Sequence, residues 1–294
     1  MRTYSNSAQL QTALRAYRQA GQSIAFVPTM GNLHEGHLDL VRKAHKLCDI
    51  VVVSIFVNPL QFGPNEDLDA YPRTLAADKG KLLSEATQIL YTPDVEDIYP
   101  GGMESQTLVQ VPGLGTTLCG NSRPGHFDGV TTVVSKLFNI VHPDVAIFGE
   151  KDFQQLSIVR KMVKDMCMPV EIVGVATTRD EDGLAKSSRN GYLTTQQRDL
   201  APLLHQTLNS CREAIACGFD NFLQLESHAC MKLLQAGFEP DYFAIRDART
   251  LRAVTEDTEE IAILVAARLG QTRLIDNVRL ALNPVSGWGM LADG

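Results

Sequence analysis

Two histidines three residues apart, His34 and His37, are the first side chains in this chain whose spacing suggests chemistry. They lie in Pro28-Thr29-Met30-Gly31-Asn32-Leu33-His34-Glu35-Gly36-His37, which follows an apolar run and opens a helical pattern. Residues three apart on a helical turn project from the same side. Two imidazoles aimed at one point can donate hydrogen bonds to phosphate oxygens, and the free N–H groups of a helix start favour an anion there. The string HEGH does not make a zinc protease, which needs HExxH with histidines four apart. A zinc site on HxxH would need further ligands; His45 lies too far along the helix, and no cysteine cluster helps.

Three further segments carry polar groups of related use. In Phe148-Gly149-Glu150-Lys151-Asp152-Phe153-Gln154-Gln155, Lys151 supplies positive charge and Asp152 suits a ribose or Mg2+. Gln154 and Gln155 can each donate and accept. Lys186-Ser187-Ser188-Arg189-Asn190 sets two hydroxyls among two cations, and the planar fork of Arg fits a triphosphate. Asn58-Pro59-Leu60-Gln61-Phe62 reads as a rigid polar pocket wall. A fourth segment, Gly115–Ser122, nearly spells a P-loop, but Asn121 stands where the phosphate-binding Lys must be, and Arg123-Pro124-Gly125 prevents a clean helix after it. The dinucleotide fingerprint GxGxxG fails at Leu118, which removes the usual warrant for a dehydrogenase. The cysteines at 48, 119, 167, 211, 217 and 230 form no CxxC pair and read as reduced thiols, none marked as a nucleophile.

These segments need elements to hold them. Short β-branched runs at Ser23–Pro28, Ile50–Asn58, Gln88–Tyr91, Val145–Phe148 and Val170–Val175 read as strands covered on both faces. Helical patterns separate them at Ser7–Ala20, Gly36–Leu47, Leu75–Ala86, Asp128–Ile140 and Phe153–Met166, with Asp128 as an N-cap. The strand–helix alternation predicts a parallel, doubly wound sheet over residues 1–176. Beyond Arg179 the texture changes, and a smaller α+β domain is expected over 177–283. Its helices are predicted at Gln196–Cys217 and Phe222–Gly237, and its strands at Asp241–Ile245, Leu251–Val254 and Ile261–Ala267. A tail at 284–294, with three Gly and the only Trp, adds little to the core. Four of the polar segments fall at or near predicted strand ends, and their convergence on one sheet edge predicts a shared pocket.

With 44% hydrophobic and 21% charged residues, the 294-residue chain is ordinary globular material, one large domain or two modest ones. No apolar run approaches a membrane span, and the polar start Met1–Leu10 lacks a signal-peptide core, so a cytoplasmic protein is expected. The net charge of −7, from 27 Lys plus Arg against 34 Asp plus Glu, argues against nucleic acid as the main partner. An anionic ligand then requires cations concentrated locally against the overall field.

Seven of these stretches, PTMGNLHEGH, FVNPLQF, RPGHFDGV, FGEKDFQQL, SSRNGYL, DYFAIRDARTL and RLIDN, together resemble the pantoate–β-alanine ligase (pantothenate synthetase) family. The resemblance runs from about residue 23 to Asn277. It implies an α/β fold: a Rossmann-like parallel sheet with helices on both faces, followed by a smaller α+β C-terminal domain. The superfamily is the adenylate-forming one that includes class I aminoacyl-tRNA synthetases, whose HIGH motif His34–His37 resembles. The implied reaction joins pantoate to β-alanine, using ATP and Mg2+ and releasing AMP and pyrophosphate through a pantoyl adenylate. By resemblance Met30, Gly31, Asn32, Leu33, His34, Glu35, Gly36 and His37 line the ATP site, with His37 as the catalytic acid. Gly149, Glu150, Lys151, Asp152 and the backbone near Thr178 hold the nucleotide, and Lys186, Ser187, Ser188 and Arg189 the triphosphate. Gln61 and Gln155 bind pantoate, Gln61 also faces β-alanine, Asn58 shares that wall, and Asp78 helps hold Mg2+. His34, His37, Lys151 and Arg189 stabilise the developing charge. Position 186 is often Met or Leu in the family and is Lys here. A homodimer is implied.

Overall fold

The computed structural model describes residues 1–64 and 66–282, so the tail expected at 284–294 lies outside the described residues. The chain divides into two compact units: Met1–Arg179 with Lys186–Ser188, and Asp180–Ala185 with the residues from Arg189 onward.

The first unit is a six-stranded parallel sheet in the order β1-β4-β3-β2-β5-β6. Its strands are β1 (Arg2–Tyr4), β2 (Ile24–Thr29), β3 (Ile50–Ile55), β4 (Ile89–Tyr91), β5 (Val145–Gly149) and β6 (Glu171–Val175). Its helices are α1 (Ser7–Gln19), α2 (Glu35–His45), α3 (Leu75–Ser84), α4 (Val95–Ile98), α5 (Cys119–Ser122), α6 (His126–Val141) and α7 (Phe153–Asp165). The apolar runs form the central strands because layers on both sides bury them. Ala25, Val27, Val51, Val53, Leu90 and Ile147 pack with Leu40, Val41 and Ala44 of α2 and Leu82 of α3. On α6, Phe138 stands edge-on to both Phe26 and Phe148.

One strand is not expected from the sequence, and one expectation is corrected. The polar triplet RTY is a strand, β1, which pairs with β4 at the sheet edge. So short an edge strand carries no periodic pattern for the sequence to reveal. Asp128 is not an N-cap: α6 begins two residues earlier, capped by Gly125 at φ +80°, and Asp128 sits in the first turn accepting from Gln110 Nε2 at 2.9 Å.

The second unit holds α8 (Thr195–Leu200), α9 (Leu203–Ala216) and α10 (Phe222–Gln235) with an antiparallel sheet of β7 (Glu239–Asp247), β8 (Glu260–Leu269) and β9 (Thr272–Ala281). Leu204, Leu208, Cys211 and Ile215 of α9, Leu233 of α10, and Ile261, Ile263 and Val265 of β8 share its core. The single helix expected at 196–217 is two, because Pro202 lacks an N–H and its ring cannot continue the turn. Leu251–Val254 is not a strand: Leu251 adopts φ +55° and closes a turn onto Asp247 O at 2.8 Å. The third strand is instead β9, whose Arg, Asp and Asn side chains mask its alternation.

Candidate active site

In the first unit the chain runs outward from β2 to β3 and β4, then returns to lay β5 on the other side of β2. The loops leaving the carboxyl ends of β2 and β5 therefore flank the point where strand order reverses, where open α/β sheets bind ligands. The loop after β2 makes its turn with Gly31 at φ +84° and Asn32 at φ +48°. A Cβ on Gly31 would also come within 3.0 Å of Ile55 Cγ2. α3 fixes this loop. Asp78, wholly buried, accepts from Asn32 N–H at 2.9 Å, Leu33 N–H at 2.8 Å and Thr74 Oγ1 at 3.1 Å. Lys81, one turn on, donates to Leu33 O at 2.5 Å.

Those bonds change the reading of Asp78. Mg2+ keeps several waters and needs room for them, and a carboxylate sealed against backbone N–H groups offers none. In this structure the Asp78 carboxylate holds the loop after β2. Among the described residues no group of three or more His, Cys, Asp or Glu could hold a metal ion. His45 bonds through Nε2 to Glu85 O at 2.9 Å.

His34 caps α2 in extended conformation, and its backbone N–H donates to His37 Nδ1 at 3.2 Å. The rings lie 4.1 Å apart, centroid to centroid. With Nδ1 accepting, the neutral His37 ring carries its proton on Nε2. His34 Nδ1 is out of solvent and makes no hydrogen bond among the described residues. Burial first, then the charges around them, pulls His34 down to about 3 and His37 to about 4. Lys151 acts on both rings, Lys186 on His34 and Lys81 on His37, while Asp152 opposes them at His34. Both rings are therefore uncharged hydrogen-bonding groups at neutral pH, set in a field of three lysines.

Segment 186–188 belongs to the same unit and docks on the same loop. Ser188 Oγ donates to Asn32 O at 3.1 Å, and Asn32 Nδ2 donates to Ser188 O at 3.4 Å. Lys186 N–H donates to Thr178 O at 2.9 Å, and Thr178 Oγ1 to Asp39 Oδ2 at 2.6 Å. Gly36 leaves room here: a Cβ would lie 3.1 Å from the His34 ring and 3.6 Å from Thr178. Two expected nucleotide contacts are otherwise engaged. Leu33 buries its side chain in the core, and Glu35 is exposed and paired with Arg42. Arg189 belongs to the second unit, in the 3-10 turn Ser188–Tyr192. Gly149 ends β5, and Glu150, Lys151 and Asp152 form the 3-10 turn that enters α7.

The FVNPLQF motif builds a second wall. Asn58 and Gln61 are buried, and Asn58 Nδ2 donates to Gln61 Oε1 at 3.2 Å and to Gly129 O at 3.1 Å. Gln61 Nε2 points to Met30 Sδ at 3.1 Å, which joins this wall to the loop after β2. The motif RPGHFDGV locks the turn from below. His126 Nδ1 donates to Gln61 O at 2.8 Å, while Arg123 pairs with Glu66 at 2.5 Å and also reaches Gln61 O. Gly129 lets α6 touch the turn, since a Cβ there would sit 2.3 Å from Leu60 O. The adjacent glutamines of α7 part company. Gln154 is buried and spends its amide on Cys119 N–H, Leu114 O and Thr117 O; Gln155 is half-buried and its amide makes no hydrogen bond among the described residues. Lys81, Asp39, His126 and Arg123 were not singled out by sequence reasoning. Lys81 had one usable signal, its place three residues after Asp78 on the same helix face.

The sequence profile of a family described as Pantoate-beta-alanine ligase matches residues 2–279. Pantothenate synthetases of Marinobacter nauticus and Pseudomonas savastanoi pv. phaseolicola are 54% and 56% identical over 280 residues, 95% of this chain and 99% of each relative. A crystal structure of pantothenate synthetase from Thermus thermophilus matches with TM-score 0.88 and 45% identity, covering 95% of this chain and 99% of its own. A pantoate-beta-alanine ligase from Francisella tularensis, complexed with beta-gamma ATP and beta-alanine, matches with TM-score 0.80 and 34% identity, covering 95% of this chain and 97% of its own.

Proposed function

The chain belongs to the pantoate-beta-alanine ligase family, and from that premise we propose how its residues join pantoate to β-alanine with ATP. A carboxylate does not react with an amine at neutral pH until it carries a leaving group. A pantoate carboxylate oxygen attacks the α-phosphorus, the bond to the β-phosphate oxygen breaks, and pyrophosphate leaves. The β-alanine nitrogen, as the free amine, then attacks the acyl carbon; the acyl–phosphate bond breaks, AMP departs, and the nitrogen sheds a proton. Neither step needs a protein nucleophile. The protein's work is positioning and stabilising charge that builds on phosphoryl oxygens.

The observation that carries this reading is the pair of uncharged histidines held beside Lys151 and Lys186 by loops from separate parts of the sequence. In this reading His34 and His37 donate to the phosphates, Lys151, Lys186 and Arg189 balance their charge, and Asp152 takes the ribose. Ser187, Ser188, Gly149, Glu150, Thr178 and the backbone of 30–36 complete the nucleotide site. Gln61 and Gln155 hold pantoate; Asn58, whose amide is committed to protein partners, orients Gln61. Mg2+ is assigned to the nucleotide it enters with, held mainly by the phosphates. A homodimer and a cytoplasmic location belong to the same proposal; no described helix is long and apolar enough to cross a membrane.

The test is incubation with ATP, Mg2+, pantoate and β-alanine. Pantothenate, AMP and pyrophosphate are expected in equal amounts. An adenylate retained in the final product would assign the site to nucleotidyl transfer, and sedimentation as a monomer would remove the homodimer.

A further inference from the structure

An amide side chain can present either its oxygen or its nitrogen to a ligand, and for Gln61 something must decide between the two. The decision starts from backbone groups, whose hydrogen-bond character is fixed. Asn58 sits beside Gly129 O, which can only accept, and beside Leu60 N–H, which can only donate. Its Nδ2 therefore faces Gly129 and its Oδ1 faces Leu60. The same Nδ2 reaches Gln61 at 3.2 Å, so the Gln61 atom there must be the acceptor, Oε1. Gln61 is left to turn its N–H groups outward, toward Met30. A carboxylate or hydroxyl meeting this wall then finds a donor; the flipped amide would set oxygen against oxygen.

The Leu60 contact is long, at 3.4 Å, and holds Asn58 Oδ1 weakly. The strong partner of that oxygen is the hydroxyl of Tyr99, which donates to it at 2.7 Å. Tyr99 is 2% exposed, and burial keeps its phenol protonated by pushing its pKa upward. It follows α4, with its N–H bonded to Val95 O at 2.7 Å. Phe56 lies 6.4 Å from its ring, and Lys136 Nζ lies 5.1 Å from the ring centre. Packed this way, the ring aims its hydroxyl at Asn58.

We propose that Tyr99 is a positioning residue for the ligation: through Asn58 it fixes the amide of Gln61 so that the wall offers N–H groups to pantoate. The proposal rests on the reading that Gln61 contacts pantoate. Tyr99→Phe removes one oxygen and keeps the ring and its packing. In that variant the KM for pantoate is expected to rise about tenfold, the effect of one buried hydrogen bond, with the KM for ATP unchanged. Gln61→Ala is expected to raise the KM for pantoate at least as much, and Tyr99→Phe added to Gln61→Ala is expected to change it no further. Thermal melting is followed in parallel. If Tyr99→Phe raises both KM values together with a lowered melting temperature, or if its effect adds to that of Gln61→Ala, the hydroxyl acts on the fold and the relay is overturned. If Gln61→Ala leaves the KM for pantoate untouched, the substrate assignment of Gln61 fails, and the relay with it.

Discussion

His37 is an uncharged ring in a basic corner, and that limits what it can give to ATP. Its Nδ1 is occupied by the His34 N–H, which leaves Nε2–H as its one donor. With its pKa held to about 4, it carries no proton to transfer at neutral pH until the phosphates arrive and favour the charged form. A donor aimed at developing phosphoryl charge is the role that fits. His37→Ala should then lower kcat about 10²–10³-fold, the loss typical of one oxyanion donor. His37→Gln, which places an amide N–H close to the position of Nε2, should keep the larger part of the rate. Equal losses in the two variants, measured by steady-state kinetics, would show proton transfer to be the essential act. The two glutamines of α7 make the companion case. Residue type does not distinguish them; the family resemblance names Gln155 for pantoate, and the fold shows Gln154 engaged with protein partners. Gln155→Ala should raise the KM for pantoate more than that for ATP. Gln154→Ala strands Leu114 O, Thr117 O and Cys119 N–H, and should instead cost about 1–3 kcal/mol of stability for a buried group left unpaired. Denaturant unfolding of both variants separates the roles.

The site depends on elements that approach one another more closely than side chains normally allow. α6 meets the turn Pro59–Gln61 across Gly129, where a Cβ would stand 2.3 Å from Leu60 O and 2.7 Å from Gln61 N. Since those are backbone atoms, no rotamer change can relieve the clash, and the turn itself must move. Gly129→Ala should destabilise the protein by about 1–3 kcal/mol, as overpacking does, and should raise the KM for pantoate because Gln61 moves with the turn. A wild-type KM in a stable variant would show that the turn yields without disturbing the wall. None of this closeness is written locally. β2, β3 and β5 are legible because strands buried on both faces must be apolar throughout, and the histidine loop is legible because it follows one of them. β1 and β9 are not, since one is a polar edge and in the other Arg273, Asp276 and Arg279 fall three residues apart and break the period of two. Asp78 is offered as a Mg2+ ligand by the family resemblance alone. Only the fold shows it turned inward to the N–H groups of Asn32 and Leu33. The resemblance to a family names Gln61 and Gln155 for pantoate and sets Asn58 on the same wall, but only the fold shows Asn58 bonded to Gln61.

Acid tests the whole molecule, because two effects of opposite sign compete. The chain carries a net charge of −7 at pH 7, so lowering the pH reduces overall repulsion and should favour the folded state. That repulsion acts over long distances and is screened beyond about 8 Å at physiological ionic strength. Against it stand three histidines whose pKa values burial depresses: His34 to about 3, His37 to about 4 and His126 to about 4. Unfolded, each binds its proton near pH 6.5. From there down to about 4 the unfolded chain holds more protons than the native one, so stability rises with pH and is lost as pH falls through this window. Carboxylates join later: Arg198 holds Asp182 low and Ser23 holds Asp49 low, so their share is lost only as pH falls through the ordinary carboxylate range and below it. The local effect should win, because three desolvated rings are not screened by salt. His126 shows what is at stake. Its neutral ring donates from Nδ1 to Gln61 O and accepts from Arg123 at Nε2, and a second proton would leave Arg123 facing a like charge. The melting temperature should therefore fall steadily between pH 6.5 and 4.5, before most carboxylates titrate. His126→Asn keeps a donor near the place of Nδ1 and removes the titration, so the slope of unfolding free energy against pH should shrink by about one proton. A melting temperature that holds level or rises across that interval would mean that relief of the net negative charge outweighs the cost of charging the buried rings.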